Sequence, residues 1–145
     1  MNIDFIILAA GKGTRMGGDS PKVLASLAGK PMIQHLIDTV DSFPSSKTSI
    51  VVGYKSNEVE RDLVSQKKLC FVKQNNQLGT AHAVKKALPN TRKNSVAVVL
   101  YGDVPLVKKN TLNRLIKSAS TGKLSLLTFI TVSYTHLTLP TICSV

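Results

Sequence analysis

Tryptophan is absent from the 145 residues, and the seven Phe and Tyr residues stand singly. Platforms for single-stranded nucleic acid interleave aromatic and basic side chains, so the sequence gives no sign of one and no nucleic-acid partner is expected. Cysteine is scarce too: Cys70 and Cys143 lie far apart, without CxxC or metal-ligand spacing. That excludes a disulfide framework and a zinc knuckle, and a reduced, cytoplasmic chain is expected. No basic region precedes the first apolar run, where Asp4 stands instead, which argues against a signal peptide. The longest apolar runs, residues 5–10 and 96–101, fall well short of the roughly 20 residues that a helical membrane span needs. Acidic side chains are sparse in the second half, where twelve Lys or Arg residues follow Asp62 against one carboxylate, Asp103.

The sequence does contain the makings of a core. Apolar residues make up 43% of the chain and charged residues 19%, a balance that suits one globular domain or part of a larger one. The formal net charge of +11 has two readings: a solvated basic surface, or a surface that favours anionic partners, phosphorylated small molecules among them.

Short apolar runs alternate with helical patterns. Residues 3–9 are nearly continuous Ile, Leu and Phe, as in a strand buried on both faces. Pro31 suits a helix N1 position, and Met32, Ile33, Leu36, Ile37 and Val40 follow at helical spacing. Residues 48–52 predict a second strand, and Asn57 can cap a helix carrying Val59, Leu63 and Val64. Residues 69–72 predict a third strand. Gly79 or Thr80 opens a helix that Pro89 stops, and further strands are expected over 95–101 and 124–130, separated by a helix over 110–118. A run of βα units implies an α/β fold with a mostly parallel sheet and helices on both faces. Ligands then bind beyond the carboxyl ends of the strands, which directs attention to the loops after Ala10, Val52, Val72 and Tyr101.

The first of these loops is LAAGKGTRMGG, residues 8–18. Its glycines let backbone N–H groups approach a phosphate while Lys12 and Arg15 neutralise it, although a glycine-rich turn can equally be structural. Met16 stands where a dinucleotide fingerprint needs glycine, and the P-loop spacing also fails. Lys22 follows Pro21, whose fixed φ restrains the loop. In YGDVPL, residues 101–106, Asp103 sits at a strand end. It reads either as a loop or capping aspartate or as the single hard oxygen ligand by which Mg²⁺ is commonly held beside phosphates. In QLGTAH, residues 77–82, Gly79 and Thr80 read as a plain helix cap or as groups that bond a base or sugar, and Gln74 can read a donor–acceptor edge. His35 and His82 read as a helix-surface and a first-turn histidine, with no catalytic partner at the right spacing.

Three blocks, LAAGKGTRM with Pro21-Lys22-Val23-Leu24 and Leu27-Ala28-Gly29-Lys30-Pro31-Met32, then QLGTAHAV, then YGDVPL, resemble the sugar-nucleotide pyrophosphorylase superfamily. Their order and spacing are similar to the N-terminal domain of the bacterial N-acetylglucosamine-1-phosphate uridyltransferases, across residues 3–130. The resemblance implies a Rossmann-like nucleotide-diphospho-sugar transferase fold. It implies transfer of uridylyl from UTP to N-acetylglucosamine 1-phosphate, giving UDP-N-acetylglucosamine and pyrophosphate for cell-wall synthesis. Carried over, Leu8, Ala9, Ala10 and Gly11 would contact the nucleotide, and the catalytic cations Arg15 and Lys22 would hold its phosphates. Gln74, Gly79 and Thr80 would read uracil; Tyr101, Gly102 and Asp103 would lie along the sugar nucleotide. Asp103 would ligate Mg²⁺.

The departures from the family follow residue 128. The sugar-gripping Glu and Asn, the second metal-ligating Asn and the β-helix acetyltransferase domain are not within these 145 residues, so nucleotide binding without turnover is expected of them. The family's homotrimer is accordingly an expectation for a full-length protein alone. Residues 131–145 carry no charge, match no family pattern and are expected to lack order. Two alternatives share these residues: another sugar-phosphate nucleotidyltransferase, or a non-catalytic nucleotide binder.

Overall fold

A computed structural model describes residues 1–11, 20–53, 55–128 and 141–144. Strand β1 (Asn2–Ala9) is followed by a two-stranded hairpin, β2 (Ser26–Leu27) and β3 (Lys30–Pro31), and then by α1 (Met32–Asp41). The order continues β4 (Lys47–Val52), α2 (Ser56–Asp62), β5 (Leu69–Lys73), α3 (Thr80–Ala87), β6 (Ser95–Tyr101), α4 (Lys109–Ala119), β7 (Ser125–Leu126) and β8 (Thr141–Ser144). The main sheet runs β5-β4-β1-β6-β8-β7. Its first four strands are parallel, and β8 lies antiparallel to both β6 and β7.

The parallel strands are apolar because both faces are covered. Phe5, Ile7, Ile50, Val52, Val98 and Leu100 pack with α1, with Val59 of α2, and with Leu112, Ile116 and Ala119 of α4. Ile6, Val51 and Val99 face the other way, onto Ala83 and Ala87 of α3. The α/β architecture, with helices on both faces, therefore stands as the apolar pattern implied. Among the described residues, no helix is long and apolar enough to cross a membrane.

Several local expectations are corrected. Pro31 is the N-cap residue of α1, not its first helical residue, because it pairs with Ser26 in the hairpin. Helix α2 is capped by Lys55 in a left-handed conformation, so Asn57 falls inside the first turn. That helix ends at Asp62, which leaves Val64 on the surface at 75% exposure. The fifth strand shrinks to Ser125–Leu126, and Phe129 and Ile130 lie outside the described residues. Of residues 131–145, the structure describes Thr141–Ser144, as strand β8. Ile142, Cys143 and Ser144 pair with Val98, Ala97 and Val96, continuing the sheet beyond β6. A strand edge presents unpaired N–H and C=O groups, and an extended segment of almost any composition can satisfy them.

Candidate nucleotide site

From β1 the chain passes to β4 and β5 on one side, then returns through α3 to β6 on the other. Such a reversal leaves a crevice at the carboxyl ends of the two central strands. A cavity of about 350 Å³ opens there. Leu8, Ala9, Ala10 and Gly11 line it from the end of β1, and Tyr101 and Asp103 from the end of β6. Gln74, Gly79 and Thr80 close it from the loop between β5 and α3, and Lys22 from the turn after Pro21. Four segments of the chain thus meet around one opening.

Gly102 does not line the cavity but lies buried beneath it. Its N–H donates to the Leu8 carbonyl at 2.9 Å, extending the β1–β6 pairing to the cavity floor. A Cβ here would stand 2.9 Å from Val23 Cγ1 and 3.0 Å from the Leu8 carbonyl oxygen. Val23, itself buried, seats the short 3₁₀ turn Lys22–Leu24 against this glycine, and so holds Lys22 over the end of β6. Replacing Gly102 with Ala must shift either that turn or the strand pairing. We expect a loss of about 1–2 kcal/mol, a typical cost of overpacking, visible as a lower urea midpoint; an unchanged midpoint would contradict the contact.

Lys22 Nζ donates to Asp103 Oδ2 at 2.8 Å across the cavity mouth. The two side chains are 40% and 36% exposed, so water screens the pair and it adds little stability. Its interest is chemical, because a cation and a carboxylate face each other at close range beside the cavity. Asp103 is the one carboxylate among the described residues that line the cavity. Among the described residues, no cluster of three or more metal-ligating side chains exists. The described residues therefore do not by themselves house a cation, whereas one carboxylate suits magnesium, which keeps waters and takes phosphate oxygens from a substrate.

Gly79, the N-cap residue of α3, has φ +94° and ψ 179°, a region essentially restricted to glycine. Its carbonyl accepts from the N–H of Ala83 at 3.2 Å and from Gln74 Nε2 at the same distance. Gln77, for which the sequence suggested no role, reaches across and donates through Nε2 to the Ala10 carbonyl. It opens the QLGTAH block, but a glutamine on an exposed loop carries no sign of the partner it will find. His82, read as a first-turn residue of α3, proves to be bonded to Gln74. His35 is part-buried, with Nε2 at 2.7 Å from the Leu27 carbonyl, where it ties α1 to the hairpin. Lys12 and Arg15 lie outside the described residues.

A model of the MobA-like NTP transferase domain matches residues 5–134. The chain belongs to this family. Family membership makes it a nucleotidyltransferase in class, and the cavity lies where a parallel sheet places its ligands. Among curated relatives, the bifunctional protein GlmU of Nitrosomonas eutropha is 48% identical over 128 residues, covering 88% of this chain and 28% of its own length. The bifunctional protein GlmU of Cellvibrio japonicus is 43% identical over 126 residues, with 87% and 28% covered. The chain thus spans little more than a quarter of these relatives. Among solved structures, HddC from Yersinia pseudotuberculosis, complexed with GMP-PN, superposes with a TM-score of 0.67 at 28% identity, over 81% of this chain and 54% of that one. Rv0371c of Mycobacterium tuberculosis H37Rv, in a manganese complex, gives a TM-score of 0.63 over 82% of this chain and 60% of its own. At 20% identity that likeness speaks for the fold alone.

Proposed function

We propose that the cavity between β1 and β6 binds UTP with Mg²⁺, and that the complete protein transfers its uridylyl group to N-acetylglucosamine 1-phosphate. The observation that carries this reading is the meeting of Ala10, Gly11, Lys22, Gln74, Gly79, Thr80 and Asp103 around one opening. The likeness to bifunctional GlmU proteins supports the choice of substrates. In the reaction, a phosphate oxygen of the sugar phosphate bonds to the α-phosphorus of UTP as the bond to the bridging oxygen breaks, and pyrophosphate leaves. Little covalent work falls to the protein, so positioning and charge neutralisation carry the rate. Lys22 and Arg15 would neutralise phosphate charge, and Gln74, Gly79 and Thr80 would hold the base. Mg²⁺ held by Asp103 would supply further positive charge beside the phosphates. Tyr101 would border the sugar nucleotide, with Gly102 packed beneath the cavity. The contacts expected to grip the sugar, the homotrimer and a cytoplasmic setting belong to this proposal for the full-length protein; for these 145 residues we propose nucleotide binding without turnover.

Calorimetric titration of UTP, CTP and GTP with Mg²⁺ into the chain tests the reading. Saturable binding of UTP, at least tenfold tighter than of CTP and GTP, is the expected result. A preference for GTP would instead favour a different sugar nucleotide, as the GMP-PN complex of HddC suggests. No binding by folded protein would overturn the nucleotide site itself.

A further inference from the structure

A glutamine amide presents two N–H donors at one end and a carbonyl acceptor at the other, and a half-turn exchanges them. For Gln74, 4% exposed at the cavity wall, two contacts fix which end faces where. Its Nε2 lies 3.2 Å from the Gly79 carbonyl oxygen and 2.9 Å from His82 Nδ1. A carbonyl oxygen only accepts, so the nitrogen must face Gly79. The second N–H then points at His82 Nδ1, which must carry the lone pair, leaving the imidazole proton on Nε2. Both donors are thereby used within the protein. No described residue donates to Gln74 Oε1, so the amide offers the cavity an acceptor.

An acceptor at this wall suits a base whose ring edge carries an N–H, as the imide of uracil does. Cytosine places an unprotonated ring nitrogen at the same position, and two acceptors would then face each other. The Gly79 contact alone is one long hydrogen bond from a loop residue. With His82 removed, the amide can turn over and present its N–H groups to the base. We infer that His82 is a positioning residue for base selection, holding Gln74 so that its carbonyl faces the nucleotide. The inference rests on the reading of the cavity as a uridine-nucleotide site. His82 acts through Gln74, and no contact between His82 and substrate is needed.

The test is the ratio of UTP to CTP affinity, measured calorimetrically with Mg²⁺ for the unaltered chain, His82→Ala and His82→Asn. We expect His82→Ala to narrow the preference for UTP by about tenfold, the cost of one misdirected hydrogen bond in a buried site. His82→Asn keeps an acceptor near the Nδ1 position and should restore most of the preference. Loss of affinity for both nucleotides in parallel, with the ratio unchanged, would show a merely structural role and overturn the inference. An unaltered chain that binds neither nucleotide, or binds both alike, would defeat the underlying uridine-site reading and the inference with it. The two failures are therefore distinct.

Discussion

Replacing Arg92 with Ala is expected to destabilise the chain by about 3 kcal/mol, lowering its melting temperature by on the order of 10 °C. Asp4 is 2% exposed at the start of β1. Its Oδ1 accepts from Arg92 Nε at 2.8 Å and from Nη2 at 2.5 Å, and its Oδ2 accepts from the Arg92 backbone N–H at 2.6 Å. The guanidinium also donates to the Ile3 carbonyl at 2.8 Å and the Ser45 carbonyl at 3.0 Å. One side chain thus ties the amino-terminal end of β1 to the turns before β4 and β6. Truncation leaves a buried carboxylate with no countercharge, only the Arg92 backbone N–H and Ser95 as donors, which is why the loss exceeds that of a surface pair. The estimate sits at the low end of the range for buried pairs because the Arg92 side chain is itself 34% exposed.

The same pair makes the loss depend on pH. Burial pushes the Asp4 carboxyl up, but hydrogen bonds and charge from Arg92, with a further bond from Ser95, outweigh it and hold the group below its ordinary value. A depressed folded value contributes stability that is fully present above the unfolded value, about 3.9, and is lost as pH falls through the folded value. In the Ala variant the unpaired carboxylate gains from taking up a proton, so its penalty eases as pH falls. The gap between the two proteins should be full at pH 7 and narrow below about pH 4. Thermal melts from pH 3 to pH 7 check this, and a gap independent of pH would refute the assignment.

Asp4 and Arg92 also mark where sequence reading stops. Asp4 interrupts an apolar strand, and nothing local says that its partner waits 88 residues later. Strands β1, β4 and β6 were legible because each carries an apolar run, Phe5 to Ala9, Ile50 to Val52 and Val96 to Tyr101, which burial on both faces requires. The three loops at the cavity were legible because glycine, proline and charge cluster at strand ends. Side-chain partnerships were not: Gln77 with Ala10 and His82 with Gln74 depend on how the loop before α3 folds back over β1. Strand β8 was missed for a related reason. Its pairing comes from an open edge of β6, and a four-residue segment without alternation carries no sign of that edge. Arg15 was assigned to phosphate from the first loop, and that assignment stays within the proposal.

The ion pair across the cavity mouth leads to an expected effect that changes sign with the metal. Lys22 and Asp103 neutralise each other at 2.8 Å, so a triphosphate arriving alone meets a cation already occupied and a carboxylate that repels it. On the proposed reading, Mg²⁺ would give the same carboxylate a new partner and leave Lys22 free to turn toward phosphate oxygens. Replacing Asp103 with Ala should therefore strengthen UTP binding by about threefold to tenfold when EDTA is present, the worth of one partly screened charge. In Mg²⁺ the same substitution should weaken UTP binding by about 10- to 100-fold, the worth of one charge-assisted contact. Lys22→Ala should weaken binding under both conditions, because it removes positive charge from the site whichever partner Asp103 holds. Titration of the three proteins with and without Mg²⁺ separates these outcomes. If Asp103→Ala weakened binding equally in both conditions, the carboxylate would be shaping the loop after β6 and the metal would have to be held elsewhere.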